Sequence, residues 1–368
     1  MMTKTVNKYR EFILKVGILS GTIIGAGVFS LPFIFKSAGL LAGFFYLAVS
    51  AAAFVVVYNM YADIIANSPV GEHRLLGFAG IYYGKLGSVL AAVSSIAQAV
   101  FVLTIYLILS VSFAELIFPG GAAFHKLVIF WALGSASIFL GLRKIAFLET
   151  LVTGGIVAII LGIFALGLPN IGKVFTNPVI FNLPLILLPL GPVLFSLSGR
   201  QAIPDVLKLG GNYKKAILVG TLLPAVVYAL FIFGIISLSV SVTPDAVGGL
   251  VGTAPAIFLI AVGLIGLLSL ISSYITVGFD VYKSLEVDAK LSIWTRFLIV
   301  IFGPIVLYLS GFSNFIELIS FVGGLLLAAE TILIMAIWRR ATGKRWGLGK
   351  IAVFILFTSA LLYEIITL

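Results

Sequence analysis

The chain has 368 residues, 61% of them hydrophobic and only 10% charged, whereas soluble domains carry about 25% charge. That composition excludes a soluble globular protein and defines an all-α polytopic membrane protein whose surroundings are the lipid bilayer. The formal net charge is +10, but the lysines and arginines fall between apolar runs and not on a soluble module, so nucleic acid is not an expected partner.

The lack of cysteine removes disulfides, thiolate chemistry and cysteine metal sites. His73 and His125 lie in separate connecting segments without a second ligand at helical spacing, and read as loop histidines. Met1 to Lys15 is basic, but the run behind it lacks a small-residue cleavage site and is too long for a signal peptide's apolar core. It is expected to stay as a mature transmembrane helix.

Eleven apolar spans follow in order. They are Phe12–Phe35, Leu40–Ala66, Leu86–Leu116, Lys126–Leu142, Phe147–Leu168, Leu183–Leu207, Ala216–Val240, Ala256–Tyr282, Ile293–Leu309, Phe315–Trp338 and Ile351–Leu368. The whole chain, 1–368, reads as a single transmembrane domain. With the N-terminus in the cytoplasm, the inner connections receive Lys4, Lys8, Arg10, Lys15, Arg74, Lys85, Arg143, Lys144, Lys208, Lys214, Lys215, Lys283, Lys290 and the cluster from Arg339 to Lys350. Only Lys36, Lys126 and Lys173 face outward, which predicts a plasma-membrane protein with its C-terminus outside.

The first span contains Gly21-Thr22-Ile23-Ile24-Gly25-Ala26-Gly27-Val28-Phe29-Ser30-Leu31-Pro32. Three glycines in seven residues, with a proline close behind, weaken a helix that lipid requires to be fully hydrogen-bonded. Small residues of this kind serve either as a close-packing face or as a discontinuity whose freed backbone groups bind a solute. The G-x-G of Gly25 and Gly27 is not a phosphate loop, since no strand precedes it and no Gly-Lys-Ser/Thr follows. The sixth span holds Pro184, Pro189, Pro192 and Pro204 together with Gly191 and Gly199, which places a second break near Ser196–Gly199. Gly199 precedes Pro204 by the same interval that separates Gly27 from Pro32.

Gly-x-x-x-Gly-Ala-Gly-x-x-x-x-Pro in the first span, with a matching break five spans later, resembles the amino acid–polyamine–organocation superfamily, which has the LeuT-type fold. Within it the chain looks most like the aromatic and hydroxy amino acid permeases and the amino acid/auxin permease branch. The resemblance implies a five-plus-five inverted repeat (about 12–168 and 183–338) with broken helices 1 and 6, and one extra helix at about 351–368. It also implies that N–H groups at Ala26 and Gly27 meet a substrate carboxylate, with Gly25 in the same substrate site. Carbonyls near Thr22, Ile23, Phe195 and Ser196 would take its ammonium, while Phe195, Ser198 and Gln98 line a side-chain pocket.

The other polar residues of the third span, such as Ser94 and Tyr106, read first as glue between helices and second as pocket lining. In the eighth span Ser269, Ser272 and Ser273 reproduce that family's sodium-ligand spacing, with the carbonyls of Gly21 and Ile24 as partners. Five uncharged oxygens suit a hard cation, and the competing reading is serines bonded back to their own helix. Ionisable residues inside spans are functional candidates by default, here Glu149, Arg200, Asp280 and Glu330. Arg200 departs from the family pattern and reads as a gate residue paired with Asp280, Glu330 or Asp205, or as a snorkelling side chain. Asp280 lies near Lys283 and reads as snorkelling, and Glu149 is a proton-acceptor candidate.

The expected function is secondary active transport of neutral amino acids by alternating access, coupled to sodium, with proton coupling as the alternative. A channel is the rival of another class, although no charged ring or filter sequence is present. An enzyme is not expected, because the chain lacks a nucleophile–base pair and an H-E-x-x-H motif. No cofactor is expected beyond the coupling ion. The oligomeric state is left open.

Overall fold

The computed structural model describes residues 2–69, 74–138, 142–176, 185–287 and 289–367, with side chains throughout except at 2–8, 142–150 and 176. Among them every regular element is a helix. In chain order these are α1 Met2–Ile23, α2 Leu31–Ala38, α3 Leu40–Asn67, α4 Leu75–Ile117, α5 Ala123–Ser137, α6 Leu142–Gly167, α7 Lys173–Thr176 and α8 Leu190–Ser196. They continue as α9 Ile203–Lys208, α10 Tyr213–Leu238, α11 Ala256–Val287, α12 Ile293–Phe297, α13 Gly303–Leu309, α14 Phe315–Phe321, α15 Ala328–Thr342 and α16 Leu348–Thr367.

Among the described residues seven helices are long and apolar enough to cross a membrane, and the pair Tyr9–Ile23 and Ala26–Ala38, bent by 49°, makes an eighth. The other three expected spans are shorter. The fourth is α5, the sixth is the split pair α8 and α9, and the ninth is Ile293–Leu309, where a π-helical stretch at Leu298–Phe302 joins α12 to α13. Gly303-Pro304 explains that stretch, because proline supplies no N–H to the turn before it. The Trp131 indole donates to the Ile301 carbonyl there at 2.8 Å.

One boundary differs from expectation by a full helix. The third span starts at Leu75 and not at Leu86, interrupted at Gly84, whose φ of 64° turns the chain between the two parts. A short apolar run between basic residues hid that first part. Pro184 and His73 lie outside the described residues.

Packing sorts the helices into two groups. α1 packs on α10, α6 and α9, and α3 packs on α10 and α15. α4 packs most closely on α11, where Gly263 and Gly266 leave room for the Phe113 backbone and ring. α6 touches both groups through α10 and α11.

Candidate substrate site and its gates

The first break lies at Ile24-Gly25. Gly25 is extended (φ −142°, ψ −158°), and a 3₁₀ turn over Ala26–Ser30 leads into α2. The Ser30 hydroxyl donates to the Gly27 carbonyl at 2.8 Å, closing one group the turn frees. The second break lies at Leu197 to Gly199, followed by a 3₁₀ turn over Arg200–Ala202 and then α9. The two breaks touch. A Cβ on Gly27 would stand 2.6 Å from Cα of Ser196, and one on Gly199 would stand 2.5 Å from Cγ1 of Ile23, so only glycine permits this approach.

Two tyrosines that the sequence reading passed over hold the breaks together. Tyr228 on α10 is fully buried, and its hydroxyl lies 2.7 Å from the Ile23 carbonyl and 2.8 Å from that of Ser196. Tyr58 on α3, equally buried, donates to the Leu197 carbonyl at 2.6 Å. A tyrosine inside an apolar run is the signal that would have found them, since a buried phenol needs a partner. The Ile23 and Ser196 carbonyls therefore already share one donor. The hydroxyls of Thr22 and Ser196 bond back to Ile18 and Pro192 of their own helices.

Both breaks form the wall of a cavity of about 1800 Å³. Thr22, Ile23, Gly25, Ala26, Gly27, Gln98, Phe195, Ser196 and Ser198 all line it, so the substrate set expected from sequence converges on one space. The cavity continues past Gly21, Gly17 and Arg10 to Tyr9, and past Asp280 and Lys283 to Val287, so its mouth is at the end carrying the N-terminus. On the far side of the breaks the Phe29 ring meets Phe113 at 5.0 Å and Phe231 at 5.5 Å, both edge to face. Nearby, α8 presses on the π-helical stretch Val322–Leu327 so closely that a Cβ on Gly323 would fall 1.8 Å from the Gly191 carbonyl oxygen. The site is open at one end and shut at the other.

The proposed sodium ligands are divided between two places. Gly21 borders the cavity opposite Thr153 of α6, whose Oγ1 would lie 3.4 Å from a Cβ there. Ser269 and Ser272 sit on the α11 face that also carries Ile265, which packs on Gly155 of α6. Ser272 is 3% exposed and its hydroxyl has no partner, so it is not bonded back to its own helix. Ile24 is buried beside the first break, and Ser273 lies next to this face. Among the described residues no three His, Asp or Glu side chains gather as a metal site.

The ionisable candidates separate cleanly. Arg200 lines the cavity, donates through Nε to Glu330 of α15, and sets its guanidinium 5.4 Å from the Tyr61 ring centre. Asp280 pairs with Arg74 at the head of α4, and not with Arg200 or Lys283. Lys283 instead joins Glu286, which also holds Arg296 at 2.9 Å. Asp205 pairs with Lys208 one turn on. The backbone of α6 passes through Glu149, whose side chain lies outside those described.

No family model matches the sequence, and no curated protein does. Solved structures do match its fold. Mhp1, a nucleobase-cation-symport-1 family transporter closed around bromovinylhydantoin, aligns with 96% of this chain and 92% of its own at 13% identity and a TM-score of 0.63. A manganese transporter of Eremococcus coleocola in complex with an aromatic bis-isothiourea substituted compound aligns over 95% and 86% at 16% identity and 0.66. MhsT in complex with L-phenylalanine aligns over 97% of both chains at 14% identity and 0.59. The chain thus has the LeuT-type fold and is a multi-pass membrane protein.

Proposed function

We propose that this protein is a secondary active transporter that carries a neutral amino acid across the plasma membrane by alternating access, coupled to sodium. The observation that carries the reading is the meeting of two helix breaks in the wall of a cavity open at one face and sealed at the other. A channel would need a continuous path, and a wall built of two interrupted helices is the arrangement that rocking of one helix group against another requires. The N-terminal face is taken as cytoplasmic, so the structure represents the inward-open state. The branch proposed is the aromatic and hydroxy amino acid permeases with their amino acid/auxin relatives.

In this reading the 3₁₀ turn from Ala26 offers N–H groups to the substrate carboxylate, and Gln98, Phe195 and Ser198 surround its side chain. Sodium is carried between α1 and α11. The orphaned hydroxyl of Ser272 supports this, because a buried oxygen without a donor suits a cation. Ion binding draws α1 and α11 together and so favours the state closed on the mouth side.

The test is uptake into proteoliposomes. Ser272→Ala with Ser273→Ala removes two sodium ligands but leaves the cavity lining intact. The double variant should need about tenfold more sodium for half-maximal uptake, a loss of about 1.4 kcal/mol, with little change at saturating sodium. Uptake without sodium, driven by a pH gradient and made pH-independent by Glu149→Gln, would overturn the serine site in favour of a carboxylate. Uptake that never saturates would favour a channel.

A further inference from the structure

Val353, Phe357, Ala360 and Glu364 follow one another along α16 at helical spacing, so they share one stripe of the helix, and all four are buried. Phe357 packs edge to face on Phe54 of α3 at 5.5 Å. Glu364 stands where this pattern calls for an apolar side chain. It is 8% exposed, and among the described residues its carboxylate has neither a hydrogen bond nor an ion pair. Its neighbour across the helix interface is Gly324 of the π-helical stretch, where a Cβ would fall 2.7 Å from Oε2.

The elements packed on α16 bring no cation to it. The stretch Val322–Leu327 and α8 carry no ionisable group. Glu317 of α14 is held by Asn314. On α15, Glu330 meets Arg200, while Arg339 and Arg340 occupy the last turn at the far end of the helix. α3 offers Tyr46, Tyr58, Tyr61 and Asp63, the last accepting from the Trp338 indole at 3.0 Å. On α16 itself Tyr363 is adjacent, and Lys350 lies near the start of the helix, about 20 Å off along its axis, over the Trp338 ring. A carboxylate taken out of water without a counter-charge becomes neutral by taking up a proton.

We infer that Glu364 is a proton site that couples pH to the closed end of the cavity, holding a proton while that end is shut and releasing it to water when the end opens. The π-helical stretch is the link. Gly323 lies on the Gly191 carbonyl of α8 and the next residue, Gly324, lies on Glu364, so neither side leaves room for a Cβ. Opening takes the stretch off α8 and disturbs its seat on α16. Water then reaches the carboxyl group, the proton passes to solvent, and the charge left behind resists return to an apolar seat. No other bond forms or breaks. The inference rests on the alternating-access reading and gives it a regulating proton, with sodium still the driving ion. One proton released on opening raises the open-to-shut ratio by up to about tenfold per unit of rising pH.

Lys36 in the last turn of α2 and Ser313 ahead of α14 are both exposed, and the chain has no cysteine of its own. Lys36→Cys with Ser313→Cys in the full chain, spin-labelled in nanodiscs at fixed sodium, reports the opening by double electron–electron resonance. With Glu364 intact, long distances should gain on short ones as pH rises from about 5 to about 8. Glu364→Gln and Glu364→Leu, neither able to ionise, should both keep the short distance at every pH. Glu317→Gln, which removes an exposed acid of α14, should leave the response as it is. A distribution that ignores pH with Glu364 intact overturns the proton site, and so does a response that survives either Glu364 variant. Saturable uptake of radiolabelled L-serine or L-phenylalanine by the same labelled protein tests the transporter reading separately, so a flat pH profile with uptake intact removes the proton site alone.

Discussion

A Cβ placed on Gly25 meets nothing nearer than the Ile23 carbonyl oxygen at 3.9 Å, while one on Gly27 or Gly199 collides with its neighbours. Three glycines that look alike in sequence thus do different work. Gly25→Leu is expected to fold and insert, with its side chain projecting into the cavity, and to weaken substrate binding at least about tenfold, or about 1.4 kcal/mol. Equilibrium binding on the monodisperse purified variant checks this, and wild-type affinity would remove Gly25 from the site. Residues were legible where backbone chemistry restricted the choice: the glycines and prolines mark both breaks within a residue or two. The clamping tyrosines were not, because nothing local shows that Tyr228 reaches a carbonyl 205 positions away in the chain. For the same reason the partner of Asp280 was missed, since Lys283 is near in sequence but Arg74 is near in space.

At the scale of elements, the π-helical stretch Val322–Leu327 matters most, because it brings Gly323 onto the backbone of α8. The structure sets Gly323 against the Gly191 carbonyl of α8, toward the closed end of the cavity. An alanine there cannot be accommodated while that end is shut, and overpacking costs about 1–3 kcal/mol. Gly323→Ala is therefore expected to shift the population toward the state open on the far side by about five- to 150-fold. Distance measurements by double electron–electron resonance between spin labels on α8 and α14 would show it, and an unchanged distribution would mean the contact opens freely. The long apolar elements were legible, since apolar runs of that length admit few alternatives, but the helical stretch from Leu75 to Gly84 was not. Boundaries were less so: Gly84 interrupts a helix that composition alone would start later.

For the molecule as a whole, orientation is open to a clean measurement because the chain has no cysteine. Gly17 lines the cavity, and a Cβ there meets nothing within 4 Å, so Gly17→Cys adds one reactive thiol without crowding. A membrane-impermeant maleimide should label it in inside-out vesicles and leave it unlabelled in right-side-out vesicles; the reverse pattern would invert the topology. The two ends of the cavity also differ in kind. The mouth is bordered by ion pairs, Arg74 with Asp280 and Lys283 with Glu286, whereas the closed end is three aromatic rings and a glycine contact. Apolar association weakens as temperature falls, and contacts between charges do not follow the same law. Cold therefore loosens one door and not the other. In the proposed transport cycle the balance between the two faces then shifts with temperature as well as with ligand.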